Sequence, residues 1–397
     1  MKKVDSITDT QSLRAYFFDS FPKKNTHQKY CKDNKQLIYM PNHYNYKITI
    51  RFSGENLVLE NKSELQVLYS KYTTQKDTLN FRDRCVVRIN AQRNFYLPDK
   101  TSAIYGNGNS IHIQIMKAIL LYCLTCDKCV KVKSISMYRK KPNTKTHYYK
   151  EIKTFKQPFP DRTHLIKSLP IDVVIRRMGH VQKDYSYRIA MSYFLREQYS
   201  LHPYHKFECL WRAYNCLFRN LTGTGSDNAG IRGMISHVLL HTDKYNQTCS
   251  CANAVDLNDK MFKFKSFLID KIEHLKRSTS IMNWMSNFTK SEILNLIRQN
   301  EVVIGSKIDS IAANDAATIK SNVHTYLTTT REDASKVNVE KFIFLLWYAY
   351  FLRNMYFHAV IKEASFTLYS EYNDKHLMSV TEIMETFLRE IFEDDTF

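Results

Sequence analysis

Strict alternation of apolar and polar positions marks the first clear element of the chain. Tyr46-Lys47-Ile48-Thr49-Ile50-Arg51-Phe52, closed by Ser53-Gly54, has the period-two pattern of a half-buried strand. Val130-Lys131-Val132-Lys133 starts in the same way, and Ile171-Asp172-Val173-Val174-Ile175 reads as a further strand. Between them Ile111, Ile115, Ile119 and Tyr122 fall at helical spacing and predict one amphipathic helix. Residues 1–180 are therefore expected to be α+β.

After residue 180 the period lengthens to that of helices. Phe207, Leu210, Trp211, Tyr214, Leu217 and Phe218 form one apolar stripe behind Pro203, a residue favoured at helix starts. Thr289-Lys290-Ser291-Glu292 and Ser379-Val380-Thr381-Glu382 have capping-box spacing and predict two more starts. Thr222 to Gly230, rich in Gly, Thr, Ser, Asp and Asn, predicts an exposed loop. Residues 337–361 predict a long helix, apolar almost all round between Phe342 and Leu352 and hence central to a bundle. That run also offers greasy surface for contact between two copies. The final Glu393-Asp394-Asp395 reads as a solvated tail. The expected architecture is an α+β domain, 1–180, followed by an all-α helical bundle, 181–397.

Composition agrees with long helices and excludes a turn-dense all-β chain, since the 397 residues include only 9 Gly and 8 Pro. With 44% hydrophobic residues the chain can bury a sizeable core. The run Phe342–Leu352 is too short to span a bilayer, and the polar start Met1-Lys2-Lys3-Val4-Asp5-Ser6 lacks the apolar run of a signal peptide. The nine cysteines, odd in number, suit reduced thiols better than a disulfide framework. A cytoplasmic protein without a membrane partner is the expectation.

Charge sharpens the division. Residues 1–180 hold 33 Lys and Arg against 14 Asp and Glu, so the whole formal net charge of +19 lies there, and residues 181–397 hold 25 of each sign. A field of that size attracts polyanions, nucleic acid above all; the alternative is a lysine-rich surface kept for solubility. Within the basic part, Lys131, Lys133, Arg139, Lys140, Lys141 and Lys145 are interleaved with Tyr138 and Tyr148, with no acid between Val130 and Lys150. Cations for phosphates and rings for bases make up a single-strand RNA surface. The other reading is a solvated basic hairpin turning at Pro142-Asn143.

Candidate chemistry sits at the end of the most apolar helix, in Phe351-Leu352-Arg353-Asn354-Met355-Tyr356-Phe357-His358. Asn354 and His358, four apart, share a helix face, with Arg353 one residue off it. A guanidinium holds a phosphate through parallel hydrogen bonds, and an imidazole moves a proton near neutrality. An asparagine on the shared face can orient the ring. Together they suit cleavage of RNA by its own 2′-hydroxyl, leaving a 2′,3′-cyclic phosphate and a free 5′-hydroxyl, with Arg353 stabilising the phosphorane. The same spacing suits a structural role, in which Arg353 is salt-bridged to an acidic neighbour and His358 caps the helix.

This segment resembles the HEPN superfamily, whose signature is Arg, a polar residue that is usually Asn, a few others, then His near the end of a long buried helix. The upstream helix His205-Lys206-Phe207-Glu208-Cys209-Leu210-Trp211-Arg212-Ala213-Tyr214-Asn215-Cys216-Leu217-Phe218 is similar to the opening helix of HEPN domains of the abortive-infection, ApeA-like kind. The resemblance covers roughly residues 185–395, and 222–335 is longer than a minimal HEPN bundle needs. It implies a metal-independent endoribonuclease with Arg353 and His358 catalytic and Asn354 orienting. It further implies a homodimer with a composite active site, no cofactor, and a toxin or antiphage effector role; an inhibitor or trigger partner is left open. The competing expectation is a non-catalytic nucleic-acid-binding protein whose helical half serves dimerisation.

Three weaker motifs complete the reading. Cys123, Cys126 and Cys129 lack a clear second knuckle and read as small buried hydrophobes rather than a zinc or iron–sulfur site. Arg232 and His237 repeat the Arg-to-His spacing, but with Gly233 in the polar position. Gly106-Asn107-Gly108 reads as a turn, lacking the further glycine of a phosphate loop.

Overall fold

Why the first alternating segment becomes a strand is visible in its two faces. In β1 (Tyr44–Phe52) Tyr46, Ile48, Ile50 and Phe52 are buried, whereas Asn45, Lys47 and Arg51 are exposed. Around it β2 (Glu64–Leu68), β3 (Asp77–Asp83), β4 (Val86–Arg93), β5 (Val132–Lys140) and β6 (His147–Glu151) form an antiparallel sheet of order β2-β3-β4-β1-β5-β6. Helix α1 (Ser110–Leu124) packs on its apolar face, with the Tyr122 ring stacked on Phe52 at 3.7 Å. Asn109 caps that helix by accepting from the His112 amide at 2.7 Å. Arg93 closes one end of the β3–β4 pair through a buried, two-pronged contact with Asp77 at 2.8 and 2.6 Å.

This computed structural model describes residues 44–59, 64–68, 77–93, 109–140, 147–151, 164–179, 184–223, 225–275, 278–357 and 371–397, all within one compact unit, Asn42–Phe397. Beyond the sheet the chain is helical: α2 (Ile171–Gly179), α3 (Asp184–Gln198), α4 (Pro203–Thr222), α5 (Asp227–Leu240), α6 (Asn246–Ala254), α7 (Phe264–Leu275), α8 (Ser278–Met285), α9 (Ser291–Gln299), α10 (Glu301–Ile311), α11 (Ala316–Thr329), α12 (Val337–Phe357) and α13 (Glu371–Glu393). The architecture is thus a sheet followed by helices, α+β in class. Among the described residues no helix is long and apolar enough to cross a membrane.

Several local expectations are corrected. Ile171–Ile175 is the start of a helix, not a strand. The Val174 amide donates to the Pro170 carbonyl, and Arg177 and Met178 extend the buried face begun by Ile171 and Val174. A short apolar run fits either period, and the residues after it decide. Gly223, in the left-handed conformation at φ 64°, ends α4, and α5 starts at Asp227, so the loop is shorter than expected. Gly230 lies inside α5, where a Cβ would come within 2.0 Å of the Phe218 ring.

Neither capping box forms. Ser379–Glu382 lies in the interior of α13. At α9 the Thr289 hydroxyl instead donates to Glu340 at 2.6 Å, and Glu340 also accepts the Lys290 amide at 2.6 Å. The neighbouring Lys341 binds Glu292 at 2.8 and 2.9 Å. Adjacent charges on α12 therefore hold the start of α9 from across the bundle, while the Ser291 amide donates to Glu332 at 2.6 Å.

The acidic tail is not solvated at Asp394. That residue is 1% exposed. Its carboxylate accepts from Tyr245 at 2.8 Å and from the Thr396 hydroxyl at 2.6 Å, and it lies 2.8 Å from His237 Nε2. Arg177 donates to the main-chain carbonyls of Phe392 and Asp394. The C-terminus is locked between α2, α5 and the turn before α6.

A second buried network joins α3 to α13. Gln198 donates to both Glu197 and Glu385, while Lys206 stands 3.8 Å from Glu197 and Lys167 3.0 Å from Glu385. Burial, and then the charge of Glu385, push the Glu197 carboxyl up to about 7. The folded state holds this proton where the unfolded chain releases it, so stability falls as pH rises from about 4.3 towards 7. Glu197→Gln is expected to remove that slope and to stabilise the protein by about 1–3 kcal/mol at pH 8, with little gain at pH 5. Thermal melting of both proteins at the two pH values checks this; an equal difference at both would remove Glu197 as the titrating group.

Candidate functional site

Helix α12 carries Arg353 to the edge of the core. Every residue from Phe342 to Leu352 except Tyr350 is buried within the chain, under residues such as Phe264, Phe288 and Phe387. The run expected to serve both core and interface is therefore consumed by the core. Exposure rises in the last turn, where Arg353, Asn354, Met355 and Tyr356 are half-buried.

Two neighbours position the guanidinium. Arg353 Nη1 donates to Asn354 Oδ1 at 2.8 Å and lies 3.7 Å from Asp227 Oδ2. Asp227, in the first turn of α5, also stands 3.8 Å from Arg219 Nη2. Asn354 thus serves Arg353 with its oxygen. His358 lies outside the described residues.

The packing around this end is aromatic. Tyr350 stacks on Trp211 at 5.9 Å, and Tyr356 meets Tyr204 at 5.2 Å, next to His202 and His205 at the start of α4. Trp211 Nε1, Tyr214 Oη and Asn215 Oδ1, all on α4, are buried with no hydrogen-bond partner among the described residues. Burial, and then the charge of Asp227, hold the Tyr214 phenol well above its ordinary value, so it stays protonated. Unsatisfied polar atoms are costly in a core, and a group of them beside an ionic pair calls for a reason. Asp227 and Arg219 were missed in the sequence, where Asp227 fell in an expected loop and Trp211 and Tyr214 were read only as part of an apolar stripe.

The basic strand residues divide between two faces. Tyr138 and Lys140 are exposed, and Tyr138 is paired in register with Lys47 of β1 and with Tyr148 of β6. Arg139, between them, is 9% exposed and pairs with the buried Tyr46. Lys133 is exposed and Lys131 half-buried at the start of β5. Lys141, Lys145, Pro142-Asn143 and the Tyr148 side chain lie outside the described residues, as does Gly106-Asn107-Gly108.

The other motifs take structural places. Cys123, Cys126 and Cys129 are buried; burial pushes Cys123 up to about 12 and Cys129 up to about 11, which keeps them as thiols at neutral pH. Among the described residues no group of three His, Cys, Asp or Glu could hold a metal ion. Arg232 is exposed, whereas His237 is buried against Asp394. An ionisable group the sequence did not flag is Lys271, whose Nζ sits 3.1 Å from the centroid of the Trp347 ring. Burial, and then the charge of Arg232, lower it to about 7.

Comparison of the chain with protein-family models, with curated proteins and with solved structures finds no match.

Proposed function

We propose that the chain is a metal-independent endoribonuclease of the HEPN type, acting in the cytoplasm as a homodimer, with the role of a toxin or antiphage effector. The observation that carries this reading is the half-exposed Arg353–Asn354 pair at the end of a helix otherwise committed to the core. Arg353 would stabilise charge on the phosphorane oxygens, and His358 would transfer the proton of the 2′-hydroxyl or of the leaving 5′-oxygen. Asn354 holds the guanidinium at Nη1, and Asp227 fixes its direction. One chain offers one such set. Cyclising cleavage needs a base, an acid and charge stabilisation at one phosphate, so a two-fold contact near α12 would complete the site. The basic sheet region would recruit the RNA.

The set is made of Arg, Asn and His, and the Asp227 carboxylate beside it is engaged by Arg353 and Arg219. Cleavage is therefore expected to persist in excess chelator and to leave 2′,3′-cyclic phosphate ends. Purified protein with end-labelled RNA, with and without chelator, tests this. Activity lost with chelator and restored by magnesium would overturn it.

The Asp227–Arg353 contact also favours a second reading. A guanidinium braced by an acid can be a strut between α5 and α12, in a nucleic-acid-binding protein that does not cut. In that case RNA binds and stays intact.

A further inference from the structure

The outer face of the sheet, the region to which the cleavage reading assigns only RNA recruitment, carries a cavity. Strand alternation sends Tyr46, Ile48 and Ile50 inward and leaves a polar face outward. On that face the register aligns Thr78, Asn90, Lys47 and Tyr138 in one rung across β3, β4, β1 and β5. The adjoining rung holds Gln92, Asn45 and Lys140. Together with Arg88 they line a depression of about 810 Å³, in the size range of ligand sites.

Its chemistry is one-sided. Among the described residues the lining includes three cations, Lys47, Arg88 and Lys140, and no Asp or Glu. The Tyr138 ring is 44% exposed. Arg88 Nε and Gln92 Oε1 are buried here with no hydrogen-bond partner among the described residues, and an incoming donor or acceptor would relieve that cost. Charge complementarity selects a polyanion. The exposed ring and the amides Asn45, Asn90 and Gln92 select one whose bases are free to stack and to offer their edges.

We propose that this face is a binding site for single-stranded nucleic acid, in which a base stacks on Tyr138, the flanking phosphates lie on Lys47, Arg88 and Lys140, and the neighbouring amides meet the base edge. A duplex hides its bases and gains only the charge contacts. The site does not depend on whether the helical half cuts RNA.

The test uses the full chain and a fluorescent single strand of about 10 nucleotides, 2′-O-methylated throughout so that it cannot cyclise. Tyr138→Ala is expected to weaken binding by about 10-fold or more, and Tyr138→Phe to retain it, since the ring supplies the stacking. Lys47→Gln should weaken binding and reduce the log–log salt slope by about 0.7. All three variants change exposed side chains, and unaltered melting temperatures will show that the fold is kept. A duplex of the same sequence should compete at least about 10-fold less well. Wild-type affinity in both Tyr138→Ala and Lys47→Gln would overturn the proposal. So would equal competition by the duplex, by free nucleoside monophosphates or by anionic vesicles, each of which would assign the face to another ligand.

Discussion

Replacing His358 or Arg353 by alanine is expected to lower RNA cleavage by on the order of 10³-fold, because one variant removes the proton-transfer group and the other the charge on the phosphorane. RNA binding should survive in both, since the basic sheet lies on other elements. Arg353→Lys keeps the charge but loses the planar fork, so it should recover only part of the rate. Asp227→Asn separates the two roles proposed for Arg353. If Asp227 only directs the guanidinium, the variant should cut more slowly by about 10-fold, well short of losing the catalytic group itself. If Arg353 is a strut, Asp227→Asn and Arg353→Ala should lower the melting temperature together and leave no cleavage to measure. Mixing His358→Ala chains with wild type should reduce activity per wild-type chain, through heterodimers with one set intact. Undiminished activity per wild-type chain, or full activity from a demonstrated monomer, would remove the composite site.

The second large effect concerns the C-terminus. Asp394→Ala is expected to destabilise the protein by about 3–5 kcal/mol, because it takes the carboxylate away from the buried Tyr245 hydroxyl and the buried His237 ring. Burial works to raise the pKa of Asp394, but hydrogen bonds from Thr396, His237 and Tyr245 overcome it and hold the carboxyl well below its ordinary range. Since the folded value is depressed, this contribution is fully present above about pH 4, the unfolded value, and fades as pH falls through the folded one. The melting temperature at pH 7 should drop by about 4–6 °C. Asp395→Ala, one residue on, removes only the contact with Arg176 from a side chain that is 66% exposed, and should change it little. Equal, small effects of the two variants would mean that the tail is not locked.

What the chain declares locally and what it hides follow from the range of the forces involved. The strand Tyr44–Phe52, the helix Ser110–Leu124 and the stripe of Pro203–Thr222 were legible, because one buried face imposes a period that neighbouring residues repeat. The centrality of Val337–Phe357 was legible too, since a helix apolar all round has nowhere else to go. Ile171–Ile175 was not, because five apolar-rich positions fit either period until Arg177 and Met178 are placed. The tail misled because composition near a terminus suggests solvent, while the burial of Asp394 depends on His237, 157 positions earlier. At the candidate site Arg353 and Asn354 were found as neighbours on one helix turn. Their third member, Asp227, reaches them only because the close approach of α4 and α5 at Gly230 brings the start of α5 to the end of α12. On the sheet, Tyr138 and Arg139 looked like one basic patch, but the pleat sends consecutive side chains to opposite faces. The residues that share the outer face with Tyr138, Lys47 and Asn90 among them, come from other strands. Spacing along the chain fixes which face a residue occupies, and only the pairing of strands and the packing of helices fixes which distant residues stand beside it.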